Sequence, residues 1–577
     1  MTTDVASLVS ENVDIWTTAV ERKSRAGRGG GKRSSLYGID RLRELILDLA
    51  VRGKLVAQDT GDEPATELLR KIGAERAKLT KAGAIGKRKA AESNSGDAPY
   101  PIPDGWTWTR IADVGHDWGQ KEPSGEFTYV DVSSIDQKAG VIRSPSVLSV
   151  EEAPSRARKV VKVGTVIYST IRPYLLNIAI VDQEFDPEPI ASTAFAVVHP
   201  FEGVTASFLY RYLRSATFIS YVEDCQTGIA YPAINDKQFF SAWFPLPPIA
   251  EQKRIVAKVD ELMALCDALE GESAAAIAAH KLLVETLLAT LTDSADAAEL
   301  ASNWARFEAH FDTLFTTEAS VDVLKRTILE LAVRGKLVTQ KSDEVPSSLL
   351  LATIKAGSDR GAKQKFHPAI SAADQPFVLP DGWCWERFGN LIDPASPIAY
   401  GVLVPGADQS DGVPFVRIAD LSITNPSPLP EKAISPEIDA QFARTRLVGG
   451  EILMGVVGSI GKLGVAPASW AGANIARAIC RIVPSPLLNR DYVLWLLQSR
   501  FMQDSFSGDT RTLAQPTLNI GLIRLAATPV PPIAEQQRIV AKINELMTLC
   551  DAMQEVIGRA VETQRFLVDT VVELAGA

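Results

Sequence analysis

The sequence predicts an α+β protein built twice: two mixed α/β domains separated by a long antiparallel two-helix coiled coil, with an internal pseudo-twofold duplication. Three observations predict it. First, three blocks recur in the same order, each displaced by about 280 residues, too long a period for a solenoid. Ala50-Val51-Arg52-Gly53-Lys54-Leu55-Val56 returns at 332–338, Pro103-Asp104-Gly105-Trp106 at 380–383, and Pro247-Pro248-Ile249-Ala250-Glu251-Gln252 at 531–536. Second, the segments between the blocks are almost unrelated in the two halves, so constant frames hold two different inserts. Third, each Pro-Pro block opens a long run of apolar residues at heptad spacing.

Length and charge bound the rest. At 577 residues the chain exceeds one core, and about four domains is the expectation. No unbroken apolar run reaches the length of a membrane span. The acidic N-terminus is unlike a secretory signal. Five scattered cysteines without C-x-x-C spacing read as reduced thiols, and the expected location is cytoplasmic. The net charge of −10 argues against a simple basic nucleic-acid binder. It leaves room for a local patch, or for partners that supply positive charge.

Five segments follow. Residues 1–98 form an N-terminal helical region with a basic linker. A polar helix precedes Arg22-Lys23-Ser24-Arg25-Ala26-Gly27-Arg28, whose glycine-rich surroundings favour a solvated linker over a DNA-backbone tether. Leu42, Leu45, Ile46, Leu49 and Ala50 then keep a helical period. That helix is expected to end at Arg-Gly, where glycine accepts a left-handed cap. A second amphipathic piece begins near Ala65, and a Lys/Ala/Gly/Ser-rich linker runs over 78–97.

Residues 99–246 form the first insert domain. Pro-Asp-Gly-Trp reads as a tight turn. Trp106 and Trp108 alternate at strand spacing, which favours a half-buried first strand over base stacking. The run 127–132 reads as strand and 208–213 as helix.

Residues 247–372 are the central helical region. Ile255, Val259, Leu262, Cys266 and Leu269, then Ala276, Leu283 and Leu287, lie on the predicted seam. Residues 373–530 repeat the insert pattern, with Trp383 and Trp385, a strand near 413–418 and a helix near 492–497. Residues 531–577 repeat the long helix through Ile539, Ile543, Leu546, Cys550, Met553, Ile557, Ala560, Leu567, Val571 and Leu574. His280 and Gln564 break the two seams at matching places, a polar layer that can set register. Each helix of roughly 40 residues spans about 60 Å.

Catalytic constellations are absent from the sequence. It has no G-x-S-x-G, no H-E-x-x-H, and the five histidines are dispersed. Gly31-Lys32-Arg33 has Arg where a phosphate loop needs Ser or Thr. This pattern favours a binder over an enzyme and assigns no metal site.

The ordered blocks resemble the specificity subunit of Type I restriction–modification systems. The marks are Leu-Ala-Val-Arg-Gly-Lys-Leu-Val at 49–56 and 331–338, the Pro-Asp-Gly-Trp openings, and Pro-Pro-Ile-Ala-Glu-Gln-x-Arg-Ile-Val at 247–256 and 531–540. Pro232 with Asn235, and Pro516 with Asn519, precede the Pro-Pro blocks as in that family. The resemblance implies two target-recognition domains, each reading one half of a split, asymmetric double-stranded DNA site. It implies helices that set the gap and dock two methyltransferase subunits, with two restriction subunits joining them. S-adenosylmethionine then belongs to the methyltransferase partners, ATP and Mg to the restriction partners, and no cofactor to this chain. No membrane is involved. The rival expectation is a non-catalytic coiled-coil scaffold whose inserts bind proteins.

Candidate DNA-binding residues fall in two segments per half. In the first, Ser169, Thr170, Arg172 and Tyr174 follow a β-like run, and Thr227 and Tyr231 precede the Pro-Pro block. In the second, Ser459 and Lys462 sit among glycines, and Arg511, Thr512 and Gln515 occupy the later loop. Arginine suits guanine, glutamine suits adenine and lysine meets phosphate. Arg52, Arg334, Glu251, Gln252, Glu535 and Gln536 belong to the constant frame and are expected to serve scaffold or partner docking.

Overall fold

The repeated Arg-Gly ends a helix in each half. In this computed structural model, which describes residues 5–23, 33–86, 98–228, 232–358, 366–507 and 517–576, the helices are Tyr37–Val51 and Glu318–Val333. Gly53 and Gly335 take φ of 69° and 66°, and the following lysine N–H donates to Leu49 O and to Leu331 O. These bonds satisfy carbonyls that a helix end leaves open. The amphipathic piece near Ala65 forms Ala65–Lys81, running a few residues into the expected linker, and its counterpart in the second half is Ser347–Ser358. Of the basic tract 22–28, Arg22 and Lys23 end a short strand paired with Arg33–Ser35, and the rest lies outside the described residues.

The chain divides into two compact units, 1–276 with 560–577, and 277–559. In the first, one four-stranded sheet has the order Ile178–Ile180, Val166–Ser169, Phe195–Pro200, Gly115–His116. A second has the order Ser146–Leu148, Phe127–Val130, Pro189–Ser192, Ala157–Val160, with its middle pair parallel. Val130, Ile167, Ala179, Ala191 and Phe195 are buried together in one apolar cluster. The second unit repeats this plan with the sheet Ala399–Tyr400, Ile479–Ile482, Ile452–Gly455, Leu463–Val465. A three-stranded sheet, Lys432–Ile434, Val413–Val416, Asn474–Ile475, again has a parallel pair. The expected helices are Ala206–Leu213 and Arg490–Gln498.

The Trp strands also form as expected. Thr107–Arg110 pairs with Trp243–Leu246, and Cys384–Arg387 with Ala527–Val530. Each insert therefore starts and finishes on one two-stranded ribbon next to its Pro-Pro block. This ribbon explains how unlike inserts can hang from one frame.

Both Pro-Pro blocks open long helices, Ile249–Asp293 and Ile533–Gly576. The expected seam holds at first, with Ile255, Val259, Leu262 and Cys266 buried in the first unit and Ile539, Ile543 and Cys550 in the second. It then slips by one residue in both helices. Ala276, Leu283, Leu567 and Leu574 are exposed. Val284, Leu288 and Leu291 are buried in the second unit, and Val568, with Val572 and Ala575 packed beside it, in the first, while the expected Leu287 and Val571 stay partly buried. The slip falls where each helix passes from one unit's core to the other's. A helix with 3.6 residues per turn drifts about 20° per heptad against a strict seven-residue repeat. A new core therefore meets a face displaced by one position. His280 and Gln564 are the first residues of that displaced face, four before Val284 and Val568.

The frame of each unit closes on the end of a long helix. In the first unit Tyr37 Oη donates to Asp569 (2.7 Å), and Lys54 Nζ to Gly576 O (2.9 Å). In the second, Lys336 Nζ donates to Thr292 O (2.6 Å) and Ser294 O (2.8 Å). A cation at a helix C-terminus satisfies open carbonyls and the negative end of the dipole. By length and composition alone, part of the helix Ile249–Asp293 is long and apolar enough to cross a membrane. Three of its later apolar residues, Val284, Leu288 and Leu291, are nevertheless buried within the second unit.

Candidate nucleic-acid interface

The candidate site of the first unit is the tip of the hairpin Val166–Ser169 with Ile178–Ile180. Arg172 N–H donates to Pro232 O and Ile234 N–H to Thr170 O (2.8 and 3.0 Å), while Ile171 bridges Ala233. Ala233 in turn bridges Thr227. The two segments nominated from sequence, far apart in the chain, are thus one continuous patch. Arg172, Tyr174 and Thr227 are exposed on it. Tyr231 lies outside the described residues.

Ser169 and Thr170 are corrected from DNA contacts to supports. They are 1% and 8% exposed. Ser169 Oγ donates to Ile171 O and Thr170 Oγ1 to Ala194 O, both at 2.9 Å. Ser169 ends an interior strand and Thr170 follows it directly, and each hydroxyl hydrogen is already given to a backbone carbonyl.

The second unit builds the same tip from Ile452–Gly455 and Leu463–Val465. Val457 bridges Thr517 as Ile171 bridges Ala233, and Leu518 N–H donates to Val456 O as Ile234 N–H does to Thr170 O. By this register Arg172 corresponds to Gly458 and Leu176 to Gly461. All four have positive φ: 48° and 51° at Arg172 and Leu176, 75° and 78° at the glycines. Glycine takes this conformation without a Cβ penalty. In Arg172 and Leu176 it costs about 1–2 kcal/mol each. Leu176 packs against the core, so burial offsets its strain. Arg172 is exposed, and strain kept at an exposed position points to use of the side chain.

Ser459 and Lys462 are exposed at the second tip. Lys462 Nζ donates to Ile418 O (2.7 Å) and sits 3.4 Å from Ala419 O. An ammonium carries three donors, so these contacts aim it while leaving one for a phosphate. Arg511, Thr512 and Gln515 lie outside the described residues.

The frame residues hold the inserts in place. Trp106 Nε1 donates to Glu251 (2.9 Å) and Gln58 Nε2 to the same carboxylate (2.7 Å). Trp383 and Gln340 do the same to Glu535 at 2.9 and 2.8 Å. Gln252 accepts from Thr205 N–H, and Gln536 from Asn489 N–H. All four frame residues are buried, which favours the scaffold alternative over partner docking. Arg52 and Arg334 instead lie over the rings of Tyr100 and Phe377.

Burial outweighs these hydrogen bonds and lifts the Glu251 and Glu535 carboxyls above their ordinary 4.5. A carboxyl with a raised folded pKa binds its proton more tightly folded than unfolded, so stability falls as pH rises from 4.5 through the raised value. Glu251→Gln with Glu535→Gln is expected to flatten that part of the pH profile of the urea midpoint. An unchanged slope would place the titration elsewhere.

Two further features lie in the first unit. His116 and His199, dispersed in sequence, lie with ring centroids 5.4 Å apart and planes tilted by 51°, beside Trp118 and Phe201. Burial, then His116 and Lys162, pull His199 down to about 4, so it is neutral at neutral pH. Among the described residues no group of three or more metal-ligating side chains occurs. A cleft of 460 Å³ is lined by Asp48, Arg52, Tyr100, Thr217, Tyr221 and Trp243. In the second unit Phe501 takes the place of Thr217 and packs 5.4 Å from Phe377 and 5.9 Å from Trp385.

Known proteins are similar to this chain in sequence and fold. The family described as Type I restriction modification DNA specificity domain matches residues 103–279. The chain is 34% identical to the Escherichia coli Type I restriction enzyme EcoAI specificity subunit, over 99% of both chains. It is 33% identical to the EcoEI specificity subunit of the same organism, again over 99% of both. Among solved structures, a chain described under the structural basis of complex assembly and conformational transition of the type I R-M system matches at TM-score 0.50. That match is 25% identical and covers 83% of this chain and 99% of the other.

Proposed function

The chain belongs to the specificity subunits of Type I restriction enzymes, and from that premise we propose that it reads a split, asymmetric double-stranded DNA sequence through two unlike recognition domains. The carrying observation is the pair of hairpin tips: matching backbone anchors, two sets of exposed side chains. Arg172, Tyr174 and Thr227 offer a forked donor, an aromatic and a hydroxyl to the first half-site. Ser459 and Lys462 offer small donors and a phosphate contact to the second. The unresembling inserts make the half-sites differ, and the target is therefore not a palindrome.

The two long helices serve as the spacer, packed antiparallel as a coiled coil about a pseudo-twofold axis. The matched slips at 276 and 560, and the matching lysine caps, support this reading. The chain docks two methyltransferase subunits, which carry S-adenosylmethionine, and two restriction subunits, which carry ATP and Mg. It performs no chemistry itself. Apolar Leu549, Val556, Phe566 and Leu574, exposed along the second long helix, suit protein docking. The five free cysteines suit a reducing cytoplasm.

Replacing 105–244 with the insert of another specificity subunit is expected to change one half-site and leave the other and the gap intact. Single-molecule mapping of methylated adenines reads all three at once. Changes in both halves would contradict independent domains, and binding indifferent to sequence would leave only the protein-scaffold reading.

A further inference from the structure

The first hairpin tip presents two apolar side chains on a turn that cannot easily yield. Tyr174 and Leu175 are 49% and 40% exposed. They sit in the 3-10 turn Pro173–Leu175, between Arg172 and Leu176. Those two are the non-glycine residues of positive φ among the described residues. Proline fixes one angle of the turn. Leu175 N–H donates to Arg172 O (2.9 Å), Leu176 N–H to Pro173 O (3.0 Å) and Ile178 N–H to Leu176 O (2.9 Å). Below it, Leu176 anchors the turn in the core, and Asn177 accepts from Gln137 Nε2 at 2.8 Å.

We propose that Tyr174 and Leu175 are a wedge that enters the stacked bases of the first half-site and opens one base step. The proposal rests on the DNA-reading function above and adds a mechanism to it. An aliphatic side chain has no bond to offer a phosphate, so its complement in a duplex is a base face or a thymine methyl. Proteins that kink DNA insert such side chains between base steps. A wedge must be stiffer than the stack it parts, and this tip is held by proline, three turn hydrogen bonds and a half-buried leucine packed on the core. Arg172 stands beside it and fixes where on the duplex it lands.

The second tip lacks these features. It is one residue shorter between its left-handed positions, both of which are glycine, and it carries Ser459 and a half-buried Ile460 there. Unstacking is therefore confined to the first half-site, and the complex bends its DNA asymmetrically.

The test uses the full chain assembled with its methyltransferase subunits on target duplexes. 2-Aminopurine replaces each purine of both half-sites in turn, apart from the adenines that are methylated. A fluorescence rise on binding is expected at one step of the first half-site and at none of the second. Tyr174→Ala with Leu175→Ala should abolish the rise and reduce the bend by roughly 20° or more, on duplex that a gel shift shows to be bound. Tyr174→Phe should keep both. Bound wild-type complex with no rise, or a rise that survives the double variant, overturns the wedge and leaves DNA reading intact. Absence of sequence-selective binding by the wild type overturns DNA reading and the wedge with it.

Discussion

Arg172→Gly should leave the fold as stable as before while blinding the first domain. The substitution relieves about 1–2 kcal/mol of left-handed strain. The greater freedom of an unfolded glycine takes back about 0.5–1 kcal/mol, so the urea midpoint stays the same or rises slightly. The bond from residue 172 N–H to Pro232 O survives, because the backbone supplies it. Gly458 already occupies the matching position of the second tip. Function moves the other way. A bidentate arginine contact discriminates by about 1–3 kcal/mol, or roughly 5- to 150-fold. Methylation of sites altered in the first half should rise by that factor relative to the cognate site, with the second half still read faithfully. Arg172→Ala should lose the same selectivity without gaining stability. Unchanged selectivity in both variants would remove Arg172 from the reading surface.

One heptad added to each long helix, after Leu269 and after Met553, should lengthen the gap and preserve the bases read. Seven residues extend a helix by about 10 Å, close to three base pairs at roughly 3.4 Å each. They turn the later face by only about 20°, so Val284, Leu288 and Val568 can still reach their cores. Insertion in both helices keeps the pair in step, since both positions precede the slip. The methylome of a strain carrying this variant should show both half-sites unchanged and moved apart. An unaltered gap would mean that something other than the helices measures it.

How far the site could be read in advance depends on the range of the interactions. The frame blocks were legible because their signals are local: a helix period, an Arg-Gly stop, a Pro-Pro start. The strand role of Trp108 and Trp385 followed from alternation alone, and the structure pairs both strands, with Trp106 and Trp383 just ahead of them. The burial of Ser169 and Thr170 was not legible, since it depends on strands Phe195–Pro200 and Ile178–Ile180 arriving on either side. The union of Arg172 with Thr227 depends on backbone bonds to 232–234, which no side-chain pattern announces. Leu175 escaped notice for the same reason, because an ordinary leucine becomes a presented one only when its neighbours turn left-handed.

The sequence by itself determined that this protein is one frame used twice with different contents, because recurrence and periodicity are properties of residue order. Tertiary structure alone decided which residues of each insert face outward and where the long helices change face. Those outcomes depend on distant segments competing for the same surface. A helix passing from one core to the next takes the face that buries the most apolar area, whatever the heptad count says.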